Sequence, residues 1–180
     1  ADGYLLAANL YDSSLYCFGK GKSATTVEAP LTAVALGQSV VLSGTVMDMS
    51  PGMPNTPCVS AEDMTAWMEY LYMQQTKPAS VKGVSVSLDA VDANNNIIHI
   101  GDPVTDGLTG EFSYIWEPEI PGKYTITATF KGTDAYGSSS AGTAVGVVSA
   151  PTAAPTAEPQ VIPDYSVLIY VLIVAVVVAI

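Results

Sequence analysis

The chain predicts a mainly β fold, an antiparallel sandwich, and three observations carry that reading. Apolar and polar residues alternate with a period of two in four separate runs. Clusters of Gly, Pro, Asp and Asn punctuate those runs, as at Asp92-Ala93-Asn94-Asn95-Asn96, Asp106-Gly107 and Pro121-Gly122. Helical patterns are scarce against abundant Thr, Ser, Val and Gly.

Taken in order, residues 1–22 read as one β-hairpin. Tyr4 to Ala8 and Leu15 to Phe18 are short apolar runs flanking a polar turn from Asn9 to Ser14. A lone hairpin is marginal in water, so this one is expected to belong to a larger sheet, formed here or by preceding sequence. The chain opens at Ala1 with no Met and no signal peptide, and a leader cleaved before Ala1 is compatible with that. Residues 23–148 form the sandwich domain. Val40, Leu42, Gly44 and Val46 share one face of a strand; so do Val84, Val86, Leu88 and Ala90; so do Phe112, Tyr114 and Trp116; so do Tyr124, Ile126, Ala128 and Phe130. With Val27 before and Val145 to Val148 after, the expectation is about seven strands, the number a small sandwich needs.

An insertion at about 49–80 breaks the alternation. Ala61 to Gln75 reads as a helix capped by Ser60, with Asp63 completing a capping box. Met64, Trp67, Met68 and Leu71 fall on one stripe. Two meanings are open: a helix covering one end or edge of the sandwich with Trp67 buried, or a partner contact made by Trp67, Met68, Leu71 and Tyr72. Residues 149–163 are a Pro/Ala/Thr-rich linker that cannot pack a core. Residues 164–180 end in an apolar run whose centre is Val167, Leu168, Ile169, Val171, Leu172 and Ile173. This predicts a terminal transmembrane helix, with Tyr165 and Tyr170 at headgroup depth. Tyr165 to Ile180 rises roughly 24 Å, slightly short of the ~30 Å of hydrocarbon in a bilayer.

Two motifs carry a resemblance. Gly3-Tyr4-Leu5 with Tyr11-Asp12-Ser13-Ser14-Leu15-Tyr16-Cys17-Phe18-Gly19-Lys20-Gly21 resembles the closing blade of a PQQ-like β-propeller repeat protein. Trp116-Glu117-Pro118-Glu119-Ile120-Pro121-Gly122-Lys123-Tyr124, with Ala128 to Gly132, is similar to Ig-like repeats of bacterial and archaeal surface proteins. The order of final blade, Ig-like β-sandwich, stalk and terminal span resembles the C-terminal end of archaeal surface propeller proteins. The resemblance implies an extracellular module on a single-pass membrane protein. It carries over no quinone-binding or catalytic residue.

The remaining residues narrow the function. Six Lys, no Arg and seventeen acidic residues give a net charge of −11, which speaks against nucleic acid or an anionic lipid surface as the main partner. Cys17 and Cys58 either pair, closing a long loop worth about 3–4 kcal/mol, or are separate thiols. No Cys-x-x-Cys or His pair suggests zinc. The single histidine, His99, reads as an outward strand residue with no second base beside it in sequence. Asp89, Asp92, Asn94, Asn96, Asp102 and Asp106 are either calcium ligands or turn formers; the Gly and terminal Glu of an EF-hand loop are missing. No Asn lies in a glycosylation sequon.

The sequence thus predicts a non-enzymatic spacer without cofactor or metal, holding an upstream propeller domain to membrane lipid at the cell surface. The alternative is an adhesion module that binds a surface protein or glycan. An exposed Trp67 would favour adhesion, and a buried one the spacer.

Overall fold

The computed structural model describes residues 5–150 and 164–178. Residues 1–4, most of the linker (151–163) and the last two residues of the apolar run lie outside the described ones. The chain divides into two compact units, Ala1–Ala150 and Pro151–Ile180.

In chain order the first unit contains β1 (Leu5–Asn9), β2 (Ser14–Phe18), β3 (Ser23–Thr25), β4 (Val34–Ala35), β5 (Val40–Asp48), β6 (Thr56–Pro57) and helix α1 (Met64–Met73). There follow β7 (Lys82–Ser85), β8 (Ser87–Val91), β9 (Ile97–Gly101), β10 (Val104–Asp106), β11 (Glu111–Trp116), β12 (Gly122–Phe130) and β13 (Ser139–Val148). The eleven described strands of residues 23–148 exceed the seven expected for the sandwich because short pieces pair separately. One sheet runs β11-β5-β3, with β6 also paired to β5. The other runs β4-β13-β12-β8-β9. Val27, expected on a strand, lies outside the named strands beside an isolated bridge between Glu28 and Ser43.

The alternating runs supply the core. Val40, Leu42, Val46 and Phe112 face Leu88, Ala90, Tyr124, Ile126, Ala128, Phe130, Val145 and Val147 in one buried cluster. Polar residues on the outer faces keep each sheet wet on one side. Trp116 packs edge-on against Tyr124 from the opposite sheet, with ring centroids 5.0 Å apart. The Tyr124 hydroxyl donates to Ile120 O (3.0 Å) and accepts from the Ile120 N–H (3.1 Å). That is a tyrosine corner, which pins the crossing from β11 to β12 and marks Ig-like sandwiches.

Val84, Val86, Leu88 and Ala90 are all buried as expected, yet their run is not one strand. It breaks at Val86, whose N–H donates to Pro103 O (2.9 Å). Before the break β7 pairs with β10; after it β8 pairs with β12 and β9. Gly83 permits the first pairing, because a Cβ there would lie about 2.0 Å from the backbone of Thr105.

In the second unit, α2 (Ser166–Val178) has 13 residues and rises about 20 Å. Among the described residues no helix is long and apolar enough to cross a membrane. The full span expected over 164–180 is therefore not present in the described helix, which is about 10 Å shorter than the hydrocarbon layer. Ile169, Val171, Leu172 and Ile173 are exposed on it; the side chains of Val167 and Leu168 lie outside the described ones.

Candidate functional site

The insertion begins as β6 against the end of β5 and then turns into α1. The helix starts at Met64, three residues later than expected, with Asp63 rather than Ser60 at its N-cap. The expected capping box is only half made. Ser60 Oγ accepts from the Asp63 N–H (3.4 Å), but the Asp63 carboxylate accepts from the Ser60 hydroxyl (3.3 Å) and the Lys82 N–H (2.7 Å) rather than from the Ser60 N–H that a capping box would use. The Ser60 N–H donates to Lys82 O (2.8 Å). These bonds tie the start of α1 to β7, so the box is spent on tertiary attachment.

Of the four residues expected as a partner contact, Trp67 is only 2 % exposed. Met68 and Leu71 are half-buried, and Tyr72 is exposed. The stripe faces the sandwich, as an apolar stripe ordinarily does. Beneath it lie Cys58, Val59 and Tyr136, all buried.

Cys17 and Cys58 are both free. Cys17 is exposed on β2, whereas Cys58 is buried and its thiol is pushed up to about 12 by burial, with the charge of Asp48 adding to the shift. The disulfide considered from the sequence is thus not formed. Iodoacetamide is expected to alkylate the native protein once, at Cys17, and to reach Cys58 only after unfolding. Intact-mass measurement with and without denaturant reads this directly, and no alkylation in denaturant without reductant would mean the two are joined.

The acidic loops divide in the same way. Asp92 spends its carboxylate on its own turn: Oδ1 accepts from the N–H groups of Asn94 and Asn96 (both 2.8 Å), and Oδ2 from Asn96 Nδ2 (2.9 Å). Asp106 accepts from the N–H groups of Leu108 (2.8 Å) and Thr109 (2.9 Å). Both carboxyls are held below their ordinary range by these bonds. They are turn formers. Among the described residues no group of His, Cys, Asp or Glu is placed to hold a metal ion.

His99 is different. The turn at 92–96 sets the β8–β9 register so that Asp89 stands opposite His99. The ring places Nδ1 2.9 Å from Asp89 Oδ1 and Nε2 3.2 Å from Asp102 Oδ2. Only an imidazolium donates from both nitrogens. The hydrogen bond to Asp89 is the first cause that raises the His99 pKa, helped by the charge and hydrogen bond of Asp102. Sequence alone puts His99 on an outward face but misses both partners. The signal for Asp89 is the Asp92–Asn96 turn, which fixes which residues face one another; Asp102 follows three residues after His99. Asp102 also lines a groove of about 310 Å³ with Ser85, Ser87, Thr129, Lys131 and Thr133.

The hairpin β1–β2 stands apart from every sheet of the sandwich. Its register pairs Leu5 with Phe18, Leu6 with Cys17, Ala7 with Tyr16 and Ala8 with Leu15. Both faces are therefore apolar, and all ten strand residues are exposed. Asp12 organises the turn by accepting from the Tyr16 hydroxyl (2.7 Å) and the Ser14 N–H (2.9 Å).

No family model matches this chain, and no curated protein matches it. Among solved structures, it is similar to the CARDB domain of a Pyrococcus furiosus protein crystallised in complex with di-metal ions. The identity is 14 %, the TM-score 0.37, and the match covers 73 % of this chain and 91 % of that one. A likeness of that order carries no argument about site or function.

Proposed function

We propose that this chain is a spacer and attachment module, an Ig-like sandwich that joins a neighbouring β domain through β1–β2 and membrane lipid through the apolar C-terminal segment. The observation that carries this reading is the hairpin. A two-stranded sheet with two apolar, exposed faces is marginal alone in water, and among the described residues its strands pair with no strand of the sandwich. Such a hairpin fits a larger sheet covered on both sides. The resemblance of residues 11–21 to a closing blade supports a β-propeller as that neighbour. Burial of Trp67 supports a spacer over an adhesion module, because the largest side chain of the insertion is committed to the fold. The acidic surface keeps such a domain soluble and self-repelling outside a cell.

Two measurements test this. Replacing Leu5, Leu6, Leu15 and Phe18 together by Thr is expected to leave the sandwich's unfolding free energy within about 0.5 kcal/mol, the usual scale for exposed sites away from the core. A larger drop would place the hairpin in the sandwich core and overturn the first attachment. The full chain is expected to float with phosphatidylcholine vesicles and to stop floating when Val171, Leu172 and Ile173 become Asp. A wild-type chain left in the dense fraction would overturn the second.

A further inference from the structure

We propose that Asp89, His99 and Asp102 form a self-processing site that cuts the chain's own Asp102–Pro103 peptide bond. Pro103 supplies that bond with a tertiary amide nitrogen bearing no N–H, which leaves as a secondary amine once protonated. The Asp102 side chain carries its nucleophile next to its target, since its carboxylate reaches its own backbone carbonyl carbon through a five-membered ring. Proximity of this kind replaces a bimolecular attack. What such a bond ordinarily lacks at mild pH is a proton donor, and His99 Nε2 stands 3.2 Å from the reacting carboxylate.

The backbone on both sides of the bond is held. Gly101 pairs with Leu88 on β8 and lies against the Tyr114 ring so closely that a Cβ would come within 2.6 Å of it. Pro103 O accepts from the Val86 N–H (2.9 Å). Asp102 itself is exposed, so water reaches it.

In the first step an Asp102 side-chain oxygen bonds to the Asp102 carbonyl carbon, and the bond from that carbon to Pro103 N breaks. The electron pair leaves on Pro103 N, which takes the proton of the His99 imidazolium. The product is a cyclic anhydride on Asp102 and a new N-terminus at Pro103. Water opens the anhydride to two carboxylates; of the two protons released, one restores His99 and the other charges the Pro103 amine. His99 is the catalytic acid. Asp89, on its far nitrogen, is a positioning residue that holds the ring and favours its charged form. The charged groups around the site are Asp89 from β8, Asp102 from the β9–β10 turn, and Lys131 across the groove that Asp102 lines. The reaction happens once per chain and turns over no external substrate, so it is compatible with a spacer.

The fold predicts an unusual product. The cut separates β9 from β10, but β5 pairs with β11, β7 with β10 and β8 with β12. Each fragment therefore supplies strands to sheets that the other completes. Incubating the full chain at pH 5.5 and following intact mass is expected to give fragments ending at Asp102 and beginning at Pro103, while gel filtration still shows one species. The rate is expected to be independent of protein concentration and to fall toward alkaline pH, as His99 loses its proton. His99→Ala should slow it about 100-fold, Asp102→Ala should abolish it, and Asp89→Asn should move the alkaline limb to lower pH. Circular dichroism checks that each variant is folded, with His99→Asn as the second variant if the alanine is not. An uncut wild-type chain, or a rate that climbs steadily toward pH 2 and ignores His99, would overturn the proposal and leave only ordinary acid hydrolysis.

Discussion

Tyr124→Ala is expected to cost about 3–5 kcal/mol of unfolding free energy, the range for removing a large buried aromatic side chain. The ring is fully buried and meets Trp116 across the sheets at 5.0 Å. Its hydroxyl satisfies both backbone groups of Ile120, so Tyr124→Phe isolates the corner from the packing. That change keeps the ring and leaves a part-buried N–H and C=O without their partner, at about 1–3 kcal/mol. Urea titrations followed by tryptophan fluorescence resolve the two variants. A phenylalanine variant as stable as the parent would mean that the corner directs the chain's path without stabilising it.

Trp67 sets a sharper test because its two substitutions should diverge. Trp67→Ala empties the space between α1 and the sandwich and is expected to cost about 3–5 kcal/mol. Trp67→Phe should fall within about 1 kcal/mol of the parent. The indole Nε1–H is buried with no acceptor among the described residues, an arrangement that itself costs about 1–3 kcal/mol. Losing that donor offsets much of the lost ring volume. A loss near that of alanine would reveal a bound water serving Nε1. Tyr70, tilted against Trp67 at 5.5 Å, is positioned to report either change by near-ultraviolet circular dichroism.

The inward faces of the strands are legible in the sequence because a period of two survives whatever the strands pair with. Tyr124, Ile126, Ala128 and Phe130 are buried together, as are Val84, Val86, Leu88 and Ala90. What alternation cannot show is where a strand changes sheets. Val86 is as apolar as its neighbours, and its hydrogen bond to Pro103 is made with a segment seventeen positions away. The start of α1 departs from expectation for a related reason, since the Asp63 carboxylate bonds to Lys82 rather than to an N–H of the helix's first turn. His99 looks solitary in sequence because both its partners come from pairing and turning rather than from adjacency. At the C-terminus, hydropathy registers an apolar run but not how much of it is helical. The cysteines are ambiguous in sequence, and burial of Cys58 alone separates them.

The placement of β3 beside β13 has a mechanical consequence. Ser23 Oγ donates to Gly137 O (2.7 Å) and lies 2.8 Å from Ser139 Oγ, which is also 2.7 Å from Thr25 Oγ1. Gly21 bridges to Tyr136 in parallel, and β4 runs parallel to the end of β13. The first and last strands of the sandwich are thus neighbours that point the same way. Tension pulling residue 21 backward and residue 148 forward slides them past each other, loading their hydrogen bonds together instead of peeling them singly. Forced unfolding follows the unfolding rate rather than the equilibrium free energy. Whatever its equilibrium stability, the domain is therefore expected to hold firm under a stretching load.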